Sequence, residues 1–343
     1  MAMRELLSLQ IRLVPDLLEV MQKRLEILRK IQLQEPVGRR SLAQALNTTE
    51  RILRGEVDFL KEQGLVHVES IGMFITENGK HVLESLETVM KDVYGISDLE
   101  IDLQQKLKLK RVIVVPGQSE ETEEDKKELG RIAAQHLLSI LREDDIVAVT
   151  GGTTLAAMAE MLQSVKQYPQ VLFVPARGGL GENIETQASQ VAAECAKKAG
   201  AGYRMFHLPD NLGSAAFQSL KEDPYVREML GLICSCSVVV HGIGRAMEMA
   251  VRRNASREVL QQLKNGEAVG EAFGYYFDRQ GQIIHQMETM GLRLDNVQQA
   301  RYVIGLAGGK QKAEAIIGIA NAGFLDVLIM DESAAEGVSL LVQ

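Results

Sequence analysis

The sequence lacks several features that would assign a chain to a class at once. It contains three cysteines among 343 residues, Cys195, Cys234 and Cys236, which is too few for a disulfide scaffold. We therefore expect a protein of the reducing cytoplasm. The cysteines have neither a second CxxC motif nor a nearby group of histidines, so we predict no metal site.

Long apolar runs are also missing. The longest stretch without Asp, Glu, Lys or Arg is residues 229–244, sixteen in all, whereas a membrane-spanning helix needs roughly 20 apolar residues. The first residues are charged and do not resemble a signal peptide. We predict no membrane contact and a cytoplasmic location.

Two common nucleotide-binding motifs are absent. No GxxxxGK[ST] loop occurs, and no GxGxxG sequence opens the first helix of the α/β region described below. We therefore expect no ATP, NAD or other cofactor. The length of 343 residues favours two domains, and the formal charge of −8 argues against binding polyanions over the whole surface. Charge must therefore be examined locally.

Residues 36–79 have the pattern of a DNA-binding motif. A short helix is predicted from Ser41, a polar break follows at 47–49, and a longer helix extends to Gln63. After it, "LVHVESIGMFIT" alternates apolar and polar residues on either side of Gly72, as a β-hairpin does. Helix, turn, helix and hairpin in this order predict a winged helix-turn-helix.

This region is also basic. Residues 21–61 hold nine basic and five acidic residues, in contrast to the acidic whole. Leu53, Val57 and Leu60 form the inward face of the second helix, which leaves its first turn for base edges. The alternative is a solvated charged helix. The candidate DNA-binding residues are Thr49, Arg51 and Arg54 for bases, and Arg39 and Arg40 for phosphates.

A helical linker is predicted next. Val82, Leu86, Val89 and Val93 recur at steps of four, three and four and form one stripe, which Gly95 ends. The stripe either packs on its own domain or pairs with a second copy of the chain. We expect residues 1–90 to form the DNA-binding domain, a helical linker to extend to about residue 110, and residues 91–343 to form an effector and oligomerisation domain.

From residue 111 onward, continuous apolar runs alternate with helical segments. Such runs indicate strands that are covered on both faces, so the fold class is α/β, with a doubly wound, mainly parallel sheet. The polar stretch "GQSEETEED", 117–125, is interpreted as a solvated surface loop, and a hairpin is expected to turn at 279–281. The predicted strands are 111–115, 146–149, 171–174, 203–208, 237–241, 302–307 and 326–330.

Four of these strands end in glycine pairs. Glycine lets an oxygen-rich ligand approach the backbone, and the N–H groups of the following helix and threonine hydroxyls donate to it, which suits a phosphate. The alternative is that turns of α/β proteins simply contain glycine. The strand-end residues are Gly151, Gly152, Thr153 and Thr154; Arg177, Gly178 and Gly179; Gly242 and Gly244; and Gly308, Gly309, Lys310 and Lys312.

Two further residues suit a small phosphorylated metabolite. Glu271, in "GEAFGYYFDRQG", can accept hydrogen bonds from sugar hydroxyls, and Arg252, in "VRRN", can bind a second anionic group. The alternative is that both residues belong to surface ion pairs. A rival interpretation is a sugar-phosphate isomerase or deaminase with Glu271 as general base, but the chain shows no cluster of Asp, His and Glu for proton transfer.

The motifs "GGTT", "VPARGGLGE", "EAFGYYFDRQG" and "LAGGKQKAEAI", in this order behind a winged helix, resemble the SorC-type family of bacterial sugar-responsive transcriptional regulators. The resemblance covers nearly the whole chain. It implies a fold similar to sugar-phosphate isomerases and deaminases without their chemistry. It also implies a homo-oligomeric repressor of glycolytic genes, dimeric or tetrameric, that fructose 1,6-bisphosphate or a related sugar phosphate releases from operator DNA.

The resemblance also implies roles for individual residues. One phosphate is expected on Gly152, Thr153, Thr154 and Lys312, with Arg177 and Arg252 near the rest of the ligand and Glu271 on sugar hydroxyls. One departure from the family pattern is Lys310, where a small polar residue is expected. Whether Lys310 or Lys312 serves the phosphate therefore stays open.

Overall fold

The structure, a computed structural model, describes residues 13–14, 16–179, 183–209 and 214–342. The first twelve residues, to which the signal-peptide prediction applies, lie outside these ranges. The chain divides into two compact units, Met1–Asp98 and Leu99–Gln343. No helix within the described ranges combines the length and the apolar character needed to cross a bilayer.

The first unit is a winged helix-turn-helix, as predicted. Helix α2 begins at Arg39, two residues before the expected Ser41, because Gly38 is extended and serves as its N-cap. The hairpin strands pair antiparallel with Val66 opposite Ile75. The elements are α1 (Asp16–Gln34), α2 (Arg39–Ala45), α3 (Glu50–Glu62), β1 (Val66–Glu69), β2 (Gly72–Ile75) and α4 (Glu77–Val93), and α5 (Ile96–Lys106) contains the boundary between the units.

The core of the first unit confirms the inward face predicted for α3. Leu53, Val57 and Leu60 are buried, and they share one apolar cluster with residues of α1 and α4. The buried residues of α4 are Leu83 and Met90, with Leu86 packed against the same cluster. The predicted stripe was expected either to pack on its own domain or to pair with a second copy of the chain, and Leu86 packs on its own domain. The residues of α4 that are buried, Leu83 and Met90, do not belong to the predicted stripe.

The second unit contains a seven-stranded sheet. Its elements up to the middle of the sheet are β3 (Arg111–Val115), α6 (Glu123–Ile140), β4 (Ile146–Val149), α7 (Thr153–Met161), β5 (Leu172–Pro175), α8 (Ala188–Ala199), β6 (Gly202–Tyr203), α9 (Ser214–Lys221), α10 (Pro224–Cys234) and β7 (Val238–Gly242). The others are β8 (Gly244–Arg245), α11 (Ala246–Arg252), α12 (Arg257–Asn265), β9 (Gly270–Ala272), β10 (Tyr275–Phe277), β11 (Ile283–Gln286), α13 (Leu294–Val297), β12 (Tyr302–Ala307), α14 (Ala313–Asn321), β13 (Val327–Asp331) and α15 (Glu332–Leu341).

All neighbouring strands of this sheet are parallel, in the order β3-β13-β12-β7-β4-β5-β6. The predicted parallel α/β fold is confirmed, with one error. The strand expected at 203–208 is only Gly202–Tyr203. Carbonyl groups of Val171 and Phe173 accept from β6 and the residue after it, but the next residue of β5 that faces this edge is Pro175, which has no N–H to continue the ladder.

A smaller antiparallel sheet, β11-β10-β9-β8, accompanies the parallel one. The expected hairpin at 279–281 joins β10 and β11, which confirms that prediction. The sequence did not indicate β8 and β9, because strands of two and three residues are too short to show an alternating pattern.

The strand order places one crevice at the centre of the parallel sheet. From β4 the chain proceeds to β5 and β6 on one side, and from β7 it proceeds to β12 and β13 on the other. Strands β4 and β7 are neighbours, with Val149 opposite Val240. The residues that follow them therefore meet at a topological switch point, where open α/β sheets bind ligands.

Candidate functional site

The candidate DNA-reading residues lie on the exposed face of α3. Arg51 and Arg54 are exposed, and Arg54 pairs with Asp58 at 3.7 Å. Thr49 is the N-cap of α3, and its Oγ1 accepts from the Ile52 backbone at 3.3 Å. Because that oxygen already caps the helix, the hydroxyl hydrogen is the part of Thr49 that remains available as a donor.

The candidate phosphate contacts, Arg39 and Arg40, are the first two residues of α2 and are both exposed. The N-cap of α2, Gly38, has no side chain to satisfy the helix start. Two cations beside backbone donors form a favourable place for an anionic DNA backbone.

In the second unit, a cavity of about 250 Å³ occupies the switch point of the sheet. Its wall comes from the loops after β4, β5 and β7 and from the beginning of α8. The polar residues that line it are Thr150, Thr153, Thr154, Arg177, Thr186, Gln187, Arg245, Glu248, Arg252, Arg253, Glu271 and Lys312, together with Gly151, Gly152, Gly178, Gly242 and Gly244.

Glu271 lies at one side of this cavity, held by an arginine cluster. Its Oε1 accepts from Arg253 Nη1 at 2.7 Å, from the Gly274 backbone at 2.7 Å and from Arg177 Nη1 at 3.4 Å. All three side chains are buried. The other oxygen, Oε2, lies beside Gly244 in the cavity wall. Glu271 therefore has one oxygen committed to the fold and one beside the cavity, where a ligand hydroxyl can donate to it.

The charges around Glu271 fix its ionisation. Burial alone raises the pKa of this carboxyl, but the positive charges of Arg253 and Arg177 and the hydrogen bonds from Arg253 and Gly274 outweigh it and hold the pKa below the ordinary value. A general base for isomerase chemistry needs a pKa near the working pH. Glu271 is therefore a poor base and a good permanent acceptor.

A second cavity of about 390 Å³ adjoins the first, and the two share Thr153, Thr154 and Lys312. Lys312 is half-buried, whereas Lys310 is exposed and lines neither cavity. Both lysines belong to the single 3₁₀ turn Lys310–Lys312, so the turn itself directs them differently. The structure thus brings Lys312, and not Lys310, to the threonines of the "GGTT" loop.

Lys312 is electrostatically unusual. Within the described ranges its ammonium group makes no direct hydrogen bond or ion pair. Burial lowers the pKa of Lys312, and the negative charges of Glu120 and Asp331 partly restore it. A cation that is half-buried without a direct partner favours an anionic ligand, because the ligand would repay the lost hydration.

The helices that begin at the cavity have no side-chain cap. Their N-caps are Gly152 for α7, Gln187 for α8 and Arg245 for α11. Helix α14 differs, because it continues from the 3₁₀ turn Lys310–Lys312 and its first N–H, that of Ala313, donates to the Lys310 carbonyl. Gly152 has a φ of 122°, which favours glycine. Backbone N–H groups at an uncapped helix start are donors in need of an acceptor, and the helix dipole favours a negative one.

Most of the sequence-predicted effector residues line one of the two cavities. Gly179, Gly309 and Lys310 line neither. Gly179 instead contacts the Gln187 side chain, and Gly309 lies beneath the carboxylate of Glu120. Among the described residues, no group of three His, Cys, Asp or Glu side chains is arranged to hold a metal ion.

Several lining residues were missed. Arg253 follows the predicted Arg252; Arg252 is exposed at the cavity, while Arg253 is the buried partner of Glu271. Arg245 lies in β8, three residues after the end of β7, so the search of residues after strand ends came close to it without selecting it. The stretch 117–125 was predicted to be a solvated loop, which is wrong in part, because Ser119 is buried and residues 123–125 form the first turn of α6. Glu120 is exposed, as predicted, and lines the second cavity.

Comparisons with known proteins agree with both units. Residues 20–90 match the CggR N-terminal DNA-binding domain, and residues 91–339 match a sugar-binding domain family. The chain is 47% identical over 335 residues to the central glycolytic genes regulator of Priestia megaterium and 46% identical over 334 residues to that of Bacillus subtilis. Both alignments cover 97% of this chain and 98% of the relative.

Solved structures give the same assignment. A protein from Enterococcus faecalis assigned to the SorC family of transcriptional regulators is 38% identical, with a TM-score of 0.66 over 71% of this chain and 99% of that one. The full-length sorbitol operon regulator SorC of Klebsiella pneumoniae shares the fold at 20% identity, with a TM-score of 0.68 over 90% of this chain and 94% of that one. The chain belongs to the SorC-type family of sugar-responsive transcriptional regulators. It has a DNA-binding and a sugar-binding domain and is not an enzyme.

Proposed function

We propose that the protein represses genes for glycolytic enzymes and that fructose 1,6-bisphosphate, or a closely related sugar phosphate, releases it from operator DNA. Residues 1–90 bind the operator in the cytoplasm, and residues 91–343 bind the effector and form the oligomer. The identity of 46–47% with two central glycolytic genes regulators, over nearly the whole length of each, supports the target genes.

One observation carries the choice of ligand class. Lys312, half-buried and without a direct partner in the described ranges, lies beside Thr153, Thr154 and the uncapped start of α7. Cation, hydroxyls and backbone donors together favour a phosphate. We therefore expect the ligand of this site to be a regulatory effector, and we expect no cofactor.

A second anionic group suits the other part of the site. Arg252 and Arg245 line the first cavity at its exposed side. Glu271 lines the same cavity, with its Oε2 near Gly244, where that oxygen can accept from sugar hydroxyls. Cations at two places with a carboxylate acceptor in the same cavity favour a sugar with two phosphates over a sugar with one.

The two activities are coupled if effector and operator favour different states of an oligomer. Helix-turn-helix proteins bind two half-sites as dimers, so we expect a dimer or a tetramer. A ligand that favours a state with the wrong spacing weakens DNA binding, and coupling of about 1–3 kcal/mol corresponds to a 5–150-fold change. The helical segment 82–107 joins the two domains in sequence and is the expected carrier.

A band-shift titration with operator DNA tests the proposal. Fructose 1,6-bisphosphate should weaken DNA binding by about 5–150-fold or reduce its cooperativity, and unphosphorylated fructose should do neither. The variant Lys312→Met should bind DNA normally and lose the response. Unchanged DNA affinity and unchanged cooperativity in saturating fructose 1,6-bisphosphate would refute the proposed effector.

A further inference from the structure

Glu120 places a negative charge in the cavity that also holds Lys312. The second cavity is lined by Glu120, Lys312, Thr153 and Thr154. An anion site gains nothing in affinity from an added carboxylate, because like charges repel. The proposed effector binding leaves Glu120 without a role.

Backbone contacts on both sides fix the position of Glu120. The preceding Ser119 is buried, and its N–H and Oγ donate to Asp331 Oδ2 at 2.8 and 2.7 Å. The following Glu121 closes a turn onto the Gln118 carbonyl at 2.9 Å. The carboxylate of Glu120 lies directly on Gly309, where any side chain would overlap it. The backbone of Glu120 is therefore fixed at the rim of the second cavity, and its side chain lines that cavity while remaining exposed.

Glu120 and Lys312 share the cavity without touching. In the described part of the chain, the Glu120 carboxylate has no direct hydrogen bond or ion pair, and the Lys312 ammonium has none either. The two groups still interact through their charges. An oxyanion that binds Lys312 and the two threonines thus has the Glu120 carboxylate beside it.

We propose that Glu120 makes anion binding in this cavity depend on one shared proton, held between its carboxylate and an oxygen of the bound phosphoryl group, so that the cavity accepts a phosphate ester and rejects sulfate. This inference rests on the proposed function. A proton from solvent converts two repelling anions into a short O–H···O⁻ hydrogen bond. A phosphate ester, with a second pKa of about 6, carries that proton readily, whereas sulfate stays fully ionised near neutral pH.

The neighbouring groups leave the Glu120 carboxylate as the acceptor for the proton that the phosphoryl group carries. The two oxygens of Asp331 already accept hydrogen bonds from Ser119, Gly309 and Ala334. Burial raises the pKa of Glu120, and Lys312 only partly opposes this. The other charged groups that face Glu120 or line its cavity are Glu248, which pairs with Arg245, and Lys126, which pairs with Glu123.

The sign of the pH effect follows. A bound phosphate adds negative charge beside Glu120 and raises the pKa of the pair further. Binding therefore takes up a proton, and affinity increases as the pH falls from about 8 to about 6, where the phosphate itself begins to protonate.

Calorimetry on the full chain tests this inference. Fructose 1,6-bisphosphate is titrated at neutral pH into the wild type, Glu120→Gln, Lys312→Met and the matched control Glu121→Gln. Glu121 is exposed, lies next to Glu120 and lines neither cavity. Two buffers of different ionisation enthalpy report the protons taken up. We expect uptake in the wild type and in Glu121→Gln, and little or none in Glu120→Gln.

Competition with sulfate and with inorganic phosphate gives the selectivity. Sulfate should displace the ligand from Glu120→Gln at a concentration roughly ten- to a hundredfold lower than from the wild type, because a neutral amide no longer repels it. Inorganic phosphate should change much less. Equal proton uptake and an equal sulfate-to-phosphate preference in Glu120→Gln and wild type overturn the inference.

Lys312→Met separates the two possible failures. If its affinity is much reduced while Glu120→Gln behaves as the wild type, the phosphate site stands and only the shared proton is wrong. If Lys312→Met binds fructose 1,6-bisphosphate as tightly as the wild type, the phosphoryl group lies elsewhere, and the proposed site and the shared proton both fail. Equal melting temperatures of all four proteins establish that the variants are folded.

Discussion

Helices that begin at the effector cavity start differently from most of the described helices that begin elsewhere. Six helices have an N-cap side chain that accepts from their first turn: Thr49 of α3, Thr76 of α4, Thr122 of α6, Asp223 of α10, Ser256 of α12 and Asp331 of α15. The N-caps at the cavity, Gly152, Gln187 and Arg245, offer no such side chain. Gly38 of α2 and Arg293 of α13 also lack a side-chain acceptor, so the contrast describes most helix starts and not all of them. We expect the uncapped starts at the cavity to bind the ligand.

Charged groups show the same contrast within the cavity. Arg253, Arg177 and Glu271 are buried and bonded to one another, so they form part of the fold. Lys312 and Glu120 have no direct partner within the residues that the structure describes, and they remain available to a ligand. The arginine cluster should therefore govern stability, and Lys312 should govern affinity.

The largest expected effect comes from breaking the arginine cluster. Glu271→Ala leaves two buried arginines without their acceptor, which should lower the free energy of unfolding by about 3–5 kcal/mol. Denaturant titration measures this, with the exposed Glu143→Ala as a control that should change little. A variant as stable as the wild type would show that the cluster is not part of the fold.

The pH dependence adds a check on the same residue. Because the folded-state pKa of Glu271 lies below its ordinary value of 4.5, its contribution is fully present above that value. It is lost as the pH falls through the lower pKa of the folded state. Acid should therefore reduce the stability difference between wild type and Glu271→Ala.

The sequence predicted those parts of this arrangement that depend on local patterns. Continuous apolar runs indicated the strands, and glycine pairs at strand ends indicated the "GGTT" loop and Lys312. It missed Glu120 because that residue is placed by Ser119 and Asp331, which are 212 positions apart in the chain. It selected Arg252 over Arg253 because the position where α11 ends decides which of the two faces Glu271.

Replacing Lys312 and Lys310 one at a time by methionine tests which lysine binds the ligand and whether either stabilises the fold. Lys312→Met removes a charged hydrogen bond to phosphate and should weaken fructose 1,6-bisphosphate binding by about 1.5–3 kcal/mol, roughly ten- to a hundredfold. The free energy of unfolding of Lys312→Met should not fall, because the lysine that it removes is half-buried and makes no direct hydrogen bond or ion pair in the described ranges. Lys310→Met should bind normally in the same calorimetric titration. The reverse order of affinities would assign the phosphate to Lys310.

A third prediction concerns the exposed arginines of the DNA-binding unit. Arg51→Ala or Arg54→Ala should weaken operator binding by about 1–3 kcal/mol if the residue contacts a guanine, with relaxed sequence preference at that base. Arg39→Ala should weaken binding to all DNA sequences. It should also reduce the slope of log affinity against log salt concentration by about one. Band shifts at several salt concentrations distinguish these effects. Effector affinity should be unchanged in all three variants, and Arg142→Ala, exposed in the second unit, is the control.

The smallest expected effects come from one substitution at a capped helix start, that of α12, and one at an uncapped helix start at the cavity, that of α7. Ser256 caps α12 through the Val259 N–H, so Ser256→Ala should cost about 0.5–2 kcal/mol of stability and leave effector affinity intact. Thr153 is the first residue of α7 and not its cap, so Thr153→Ala should leave stability almost unchanged. It should weaken phosphate binding by about 0.5–1.5 kcal/mol, the contribution of one neutral hydrogen bond. Melting curves and calorimetry on the same two variants should give opposite patterns. If Thr153→Ala destabilised the protein and bound the effector normally, the uncapped start of α7 would be an ordinary feature of the fold, and the contrast between the two kinds of helix start would lose its meaning.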